Sequence, residues 1–301
     1  MKNASMKDLT PGLQAGGRWV GLETPVCMGV LNVTPDSFSD GASLAQATSA
    51  DFRLDTDKLL RRAEAMVSAG AVFLDVGGES TRPGAAPVSV DEELRRVVPA
   101  IELLRERFDA CLSVDTSSAP VMIAAIAAGA ELVNDVRALA DDAALGVIVE
   151  TGTAVCLMHM RGQPRFMQSG IQPTDYTDVV TEVADFLSQR RQACLQAGVL
   201  AQSLLLDPGF GFGKSQTHNY QLLNGLGRLA SLGAPLLIGV SRKSMIGAAT
   251  GRAVDARLAG SIAAATLALQ GGAKIIRAHD VAATVDAIRV HCAFTGNLAL
   301  D

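Results

Sequence analysis

No apolar run in the 301-residue chain reaches the roughly 18 residues that a membrane-spanning helix needs. No basic tract is present either, and the net charge of -5 at pH 7 argues against nucleic acid as a partner. An anionic ligand would have to be held locally, by a few placed arginines and lysines. The five cysteines are odd in number, widely spaced and never in C-x-x-C, which argues against a disulfide framework or a zinc cluster, and three of them lie in apolar runs as expected of reduced core thiols. H-E-x-x-H and G-x-S-x-G are missing too, so zinc hydrolysis and serine acyl transfer lack support. Residues 1–25 lack the apolar centre of a secretion signal, and their glycines and proline suggest a flexible leader. A cytoplasmic location is expected, with a short tail at 296–301.

What is there is a repeat. Eight short apolar runs, at 26–33, 71–77, 111–116, 131–136, 154–160, 204–208, 236–241 and 274–279, alternate with segments of helical period such as DTDKLLRRAEAMVSAG and VDEELRRVVPAIELLRERF. Parallel strands need crossovers and are buried on both faces, so this order predicts an α/β fold, a single-domain (β/α)8 TIM barrel over 26–295. A doubly wound sheet is disfavoured, because no linker splits the chain and no dinucleotide fingerprint follows the first strand.

Active sites of such barrels lie at the C-terminal ends of the strands. Polar residues gather there: Asn32, Asp75, Asp115, Asn134 with Asp135, His159, Asp207, Ser241 to Lys243, and Arg277 with His279. A buried strand-end aspartate can equally cap the next helix. Asp207 resists that explanation, because Pro208 and Gly209 follow it. Convergent acids and amides plus Lys243 suit a flat, hydrogen-bond-rich heterocycle. Arg277, His279 and Arg82 form a separate cationic group suited to phosphate oxygens, although Arg82 could be a solvated loop arginine. The connections at 34–54 and 78–89 are longer than plain links and are expected to act as lids.

The segment LLLDPGFGFGKS at 204–215 nearly matches a nucleotide P-loop, but Pro208 replaces the first glycine. It nearly matches a dinucleotide loop as well, but Lys214 takes the place of the third glycine. Its glycines allow a tight turn beside a ligand, and its two phenylalanines are either core or an apolar wall for that ligand.

Taken in order, MGVLNVTPDSFSDG, LDVGGESTRPGA, SVDTS, NDVRAL, CLMHMRGQP, LDPGFGFGK, GVSRKSMIG and IIRAHDV resemble the signature blocks of the dihydropteroate synthase family. One departure is Ala42, where that family typically has a second glycine after SDG, and it should stiffen the first loop. The resemblance implies condensation of 6-hydroxymethyl-7,8-dihydropterin pyrophosphate with 4-aminobenzoate, by a dissociative route. It also implies that Asp115, Asn134, Asp207 and Lys243 hold the pterin, while Asn32, Arg82, Arg277 and His279 hold the pyrophosphate. Asn32 would bind Mg2+, and Thr81, Phe212 and Ser244 would frame the aminobenzoate. Phe38 and Asp40 of the first loop, with Arg82, Lys243 and Arg277, would act in catalysis.

Two other functions are compatible with a pterin-binding barrel. A methyltransferase domain would not need Arg82, Arg277 and His279, and a non-catalytic paralogue would have lost some of these residues. A homodimer is implied, and the small-residue helix AGSIAAATLALQGG could pack against the second subunit.

Overall fold

A computed structural model describes residues 11–34, 45–46, 53–80, 88–162, 171–172 and 175–298. After the hairpin Gly12–Ala15 (β1) and Arg18–Gly21 (β2), the barrel strands begin with Val26–Asn32 (β3). A two-residue antiparallel pairing, Ala45–Gln46 (β4) with Arg53–Leu54 (β5), precedes Ala71–Gly77 (β6). The remaining strands are Cys111–Asp115 (β7), Leu132–Asp135 (β8), Ala154–Met158 (β9), Leu204–Asp207 (β10), Leu236–Ile238 (β11) and Ala273–Ala278 (β12). Eight of them close a parallel barrel in the order β10-β11-β12-β3-β6-β7-β8-β9, as the alternating pattern predicts.

The helices are Thr56–Ser68 (α1), Val90–Arg107 (α2), Ala119–Ala127 (α3), Asp142–Thr151 (α4), Val179–Ala197 (α5), Gln216–Asn224 (α6), Leu226–Ala230 (α7), Ser244–Thr250 (α8), Leu258–Gln270 (α9) and Val281–Phe294 (α10). Their starts carry the chemistry that helix N-termini require: Asp55, Ser89, Asp141 and Asp178 each accept from a backbone N–H of the first turn. Gly152 and Gly198 close α4 and α5 in the left-handed conformation. No helix among the described residues is long and apolar enough to cross a membrane.

Residues 11–25 depart from the loose leader expected of them. The β1–β2 hairpin turns at Gly16–Gly17 and sends Leu13, Ala15, Val20 and Leu22 into one buried cluster with Met28, Phe73, Cys111, Leu132, Leu205 and Ile275. These barrel residues come from the N-terminal halves of their strands, so the hairpin closes the bottom of the barrel. Arg18 fastens it from outside, to the carbonyl of Asp109 at 2.6 Å and to Glu131 at 3.1 Å. Burial of that apolar face outweighs the turn-rich composition. All five cysteines are free and buried, the three in apolar runs as expected and the other two with them.

Side chains alternate across a strand. With Phe73 in the bottom cluster, Asp75 and Gly77 also point inward on β6; with Cys111 there, Ser113 and Asp115 do so on β7. By the same alternation Asn134, Asp207 and Arg277 face inward above Leu132, Leu205 and Ile275. The interior is therefore apolar below and polar above.

Candidate active site

The polar upper layer is centred on one arginine. Arg277 donates from Nε to Asp75 at 2.6 Å and from an Nη to Asp115 at 3.0 Å. Asp75 is fully buried and also accepts from Ser113 Oγ at 2.5 Å and Asn134 Nδ2 at 3.3 Å. The expectation that Arg277 belongs to a separate cationic group is thus corrected: two buried carboxylates need a counter-charge, and Arg277 supplies it within the acid cluster. Burial alone would lower the Arg277 pKa, but Asp75 and Asp115 outweigh it and hold the guanidinium charged.

Burial pushes the Asp115 carboxyl up to about 7, against the pull of Arg277 and with repulsion from Asp75 and Glu93. Asp207 is also raised by burial, and is held back by Lys243 and by the Gly209 N–H that it accepts at 2.7 Å. Lys243 is brought down to about 8, again by burial, with Asp207 opposing. Its ammonium donates to the Phe210 carbonyl and lies 4.9 Å from the centre of the Phe212 ring. Asp115, Asn134, Asp207 and Lys243, expected from the sequence, therefore converge with Arg277 in one electrostatic unit.

Asn134 adds a directional feature. Its amide NH2 is the end that faces Asp75, donating to Oδ2. The other end, Oδ1, is buried without a hydrogen-bond partner among the described residues. A buried acceptor left free is costly, and a ligand N–H would satisfy it. Room for that ligand comes from two inward positions without side chains. A Cβ on Gly77 would lie 3.4 Å from Asn32 Oδ1 and 3.6 Å from Asp115 Cβ; one on Gly239 would lie 3.8 Å from Lys243 Nζ and 3.9 Å from Arg277 Cβ.

Around this centre, His279 shares a contact of 3.1 Å between its Nδ1 and Ser241 Oγ. Ser244 opens α8 and is exposed. Phe212 is half-buried beneath Lys243, whereas Phe210 is fully buried core. Asn32 ends β3 across Gly77 from Asp115. Thr81, Arg82, Phe38, Asp40 and Ala42 lie outside the described residues.

The 204–215 segment is held by a buried lysine. Lys214 Nζ donates to the carbonyls of Gly209 at 2.9 Å and Phe212 at 3.2 Å, and meets His159 Nδ1 at 2.9 Å. Its hydrogens are spent on the protein's own groups, so it is no phosphate lysine. The loop presses on the end of β9: a Cβ on Gly209 would lie 1.9 Å from the His159 carbonyl oxygen, which only glycine permits. His159 serves as the strand-end partner of Lys214, and burial with the adjacent ammonium lowers it to about 3, so it is neutral.

Sequence reasoning set Asp75 among the strand ends without a role, and missed Lys214 as an anchor and the partners of Arg242. Asp75 could have been found, since a carboxylate two residues before an inward glycine on an apolar strand must also point inward. Asp135, by contrast, is a loop brace: it accepts from Ser117 and from the N–H groups of Arg137 at 2.8 Å and Leu139 at 2.7 Å.

The sequence from 28 to 279 matches the model of the pterin binding enzyme family. Over 278 residues the chain is 49% identical to a dihydropteroate synthase of Haemophilus influenzae, a match covering 92% of this chain and 97% of the relative. Among solved structures, the Yersinia pestis dihydropteroate synthase in complex with a sulfonamide drug superposes with a TM-score of 0.87 at 47% identity, covering 95% of this chain and 99% of that one. The Burkholderia cenocepacia dihydropteroate synthase complexed with 7,8-dihydropteroate gives a TM-score of 0.83 at 45% identity, covering 96% and 98%.

Proposed function

Because the chain belongs to the pterin-binding enzymes, as a member of the dihydropteroate synthase family of folate biosynthesis, we propose that it joins pterin pyrophosphate to 4-aminobenzoate by breaking the C–O bond before the C–N bond forms. The observation that carries the assignment of the pterin site is the buried Asn134 Oδ1, without a hydrogen-bond partner among the described residues, on the strand next to Asp115. Acceptors on Asp115, Asn134 and Asp207, all facing the barrel interior at its upper end, suit the N–H edge of a pterin, and Lys243 answers its ring carbonyl.

The carboxylates of the site support the dissociative order. Positive charge developing on the pterin would be met by Asp115 and Asp207, whose neighbouring cations among the described residues include Arg277, Lys243 and, beside Asp207, Lys214. Arg277 and His279 face the departing pyrophosphate, with Arg82 in the same role. The aniline nitrogen attacks as a neutral amine, so no base need act before bond formation. Phe212, Thr81 and Ser244 frame the aminobenzoate, and Phe38 and Asp40 keep water from the reacting centre.

Asn32 is the residue that would hold Mg2+. No cluster of three or more histidine, cysteine or acidic side chains fit for a metal exists among the described residues. One amide oxygen supplemented by pyrophosphate oxygens fits an ion that takes few protein ligands and keeps water. When bound, the ion would neutralise charge on the leaving group.

A homodimer is part of the same proposal. On α9, Leu267 is 53% exposed; on α10, Val290 and Phe294, one turn apart, are 68% and 76% exposed. Light scattering on Phe294→Asp against the unaltered chain would check it, a monomer being expected for the variant alone.

The chemistry is tested by mixing the protein with both substrates and assaying pyrophosphate. Deuterium at the pterin methylene should give a normal secondary isotope effect, since the reacting carbon becomes planar before attack. An effect of unity would exclude the dissociative order while leaving the overall reaction intact.

A further inference from the structure

Strand β11 is the shortest of the barrel, and the chain leaves it through a turn closed by the Lys243 N–H on the Val240 carbonyl at 3.2 Å. The third residue of that turn, Arg242, has φ +58. Glycine or asparagine is usual at such a position, because other L-residues are strained there. The chain instead carries its largest cationic side chain, and that side chain is engaged. Its guanidinium grips Asp280 with two bonds, at 2.9 and 2.6 Å. Its N–H donates to Ser261 Oγ at 2.9 Å, and its carbonyl accepts from Arg257 at 3.0 Å.

The neighbours of the two paired residues give the pair its meaning. Arg242 stands between Ser241, which contacts His279, and Lys243; Asp280 directly follows His279. Resting on the function proposed above, we propose that Arg242 and Asp280 are a positioning pair, locking the pterin-binding Lys243 and the phosphate-binding His279 into one unit across the ends of β11 and β12. A bidentate arginine–carboxylate pair fixes both distance and angle, which a flexible lysine contact would not. Strain at Arg242 is tolerated because the surroundings over-determine it: a bond to each of its backbone groups and two to its side chain.

Arg242→Gly separates this role from a merely structural one, because glycine adopts the turn without strain while deleting the grip. The variant and Asp280→Asn should melt close to the unaltered protein, yet each should lose roughly tenfold or more in kcat/KM for pterin pyrophosphate, the order expected when a reacting group is misplaced by a fraction of an ångström. The double variant should be no worse than the poorer single one, and Arg242→Lys should recover part of the loss. Crystal structures of the single variants should show Lys243 and His279 displaced from Phe210 and Ser241. Unchanged kcat/KM in Arg242→Gly, independent multiplying losses, or undisplaced side chains would each overturn the pair. An unaltered protein that releases no pyrophosphate would instead defeat the function proposed above, and the crystal structures would still judge the pair.

Discussion

Lys214 Nζ and His159 Nδ1 meet at 2.9 Å in a site where the lysine is 1% exposed. The contact joins the glycine loop after β10 to the end of β9, and so sets the floor on which Phe212 stands. Burial and nearby Lys243 drive the Lys214 pKa well below its ordinary value, with Asp207 opposing.

Removing that anchor should unfold the loop's support without touching phosphate binding. Lys214→Met strands the carbonyls of Gly209 and Phe212, and each buried acceptor left unpaired costs about 1–3 kcal/mol. A fall in melting temperature of roughly 5–15 °C is expected, at about 2–4 °C per kcal/mol for a chain of this size. Affinity of the folded variant for inorganic pyrophosphate should stay unchanged. A loss there would restore Lys214 as a phosphate ligand.

Asp207→Ala should weaken pterin binding by about 2–5 kcal/mol, the usual cost of truncating one partner of a buried charged hydrogen-bonded set. Calorimetry with the pterin alone measures it. Unchanged affinity would remove Asp207 from the site.

The pH dependence of that affinity follows from two shifted groups. Asp115 titrates near 7 in the empty protein and must be ionised to accept pterin N–H groups, so binding should weaken as pH falls below about 7. Lys243 loses its proton near 8, so binding should weaken again above that. A bell with its top between those values is expected from titrations at stepped pH, and Asp115→Asn should lose most of the acid limb, with raised Asp207 accounting for the rest. The stability of the empty protein runs the other way for Asp115. A carboxyl raised on folding binds its proton more tightly in the folded state, so its contribution falls as pH rises from the ordinary carboxylate range through about 7.

Much of this site was legible because Asp115, Asn134 and Asp207 interrupt apolar strands at their C-terminal ends, where a parallel barrel opens. Asp75 was overlooked as a working residue because it lies two residues below the rim, and only the inward alternation of Phe73, Asp75 and Gly77 marks it. The β1–β2 hairpin was missed because four-residue strands are too short for periodicity to stand out from a turn-rich leader. Arg242 and Asp280 are 38 residues apart, and nothing local announces a contact made by barrel closure.

Arg277 offers the test that separates its two loads. It binds the leaving group in the proposed reaction, and it also neutralises Asp75 and Asp115 in the empty site. Arg277→Ala should therefore weaken both pterin pyrophosphate and the pterin alcohol, not the phosphorylated ligand alone. The two losses differ in their pH dependence. Without the guanidinium, Asp115 titrates above its present value of about 7, because the cation that opposes burial is gone. Lys243 rises too, because Arg277 now repels its charge. The whole bell for the alcohol should move to higher pH, so its loss is large at pH 6.5 and shrinks toward pH 8.5, on either side of Asp115's present value of about 7. The extra loss for pterin pyrophosphate reflects missing contacts to phosphate oxygens and should persist at both pH values. Calorimetry with each ligand at the two pH values decides the matter. A loss confined to the phosphorylated ligand at both would mean that Asp75 and Asp115 do not depend on Arg277.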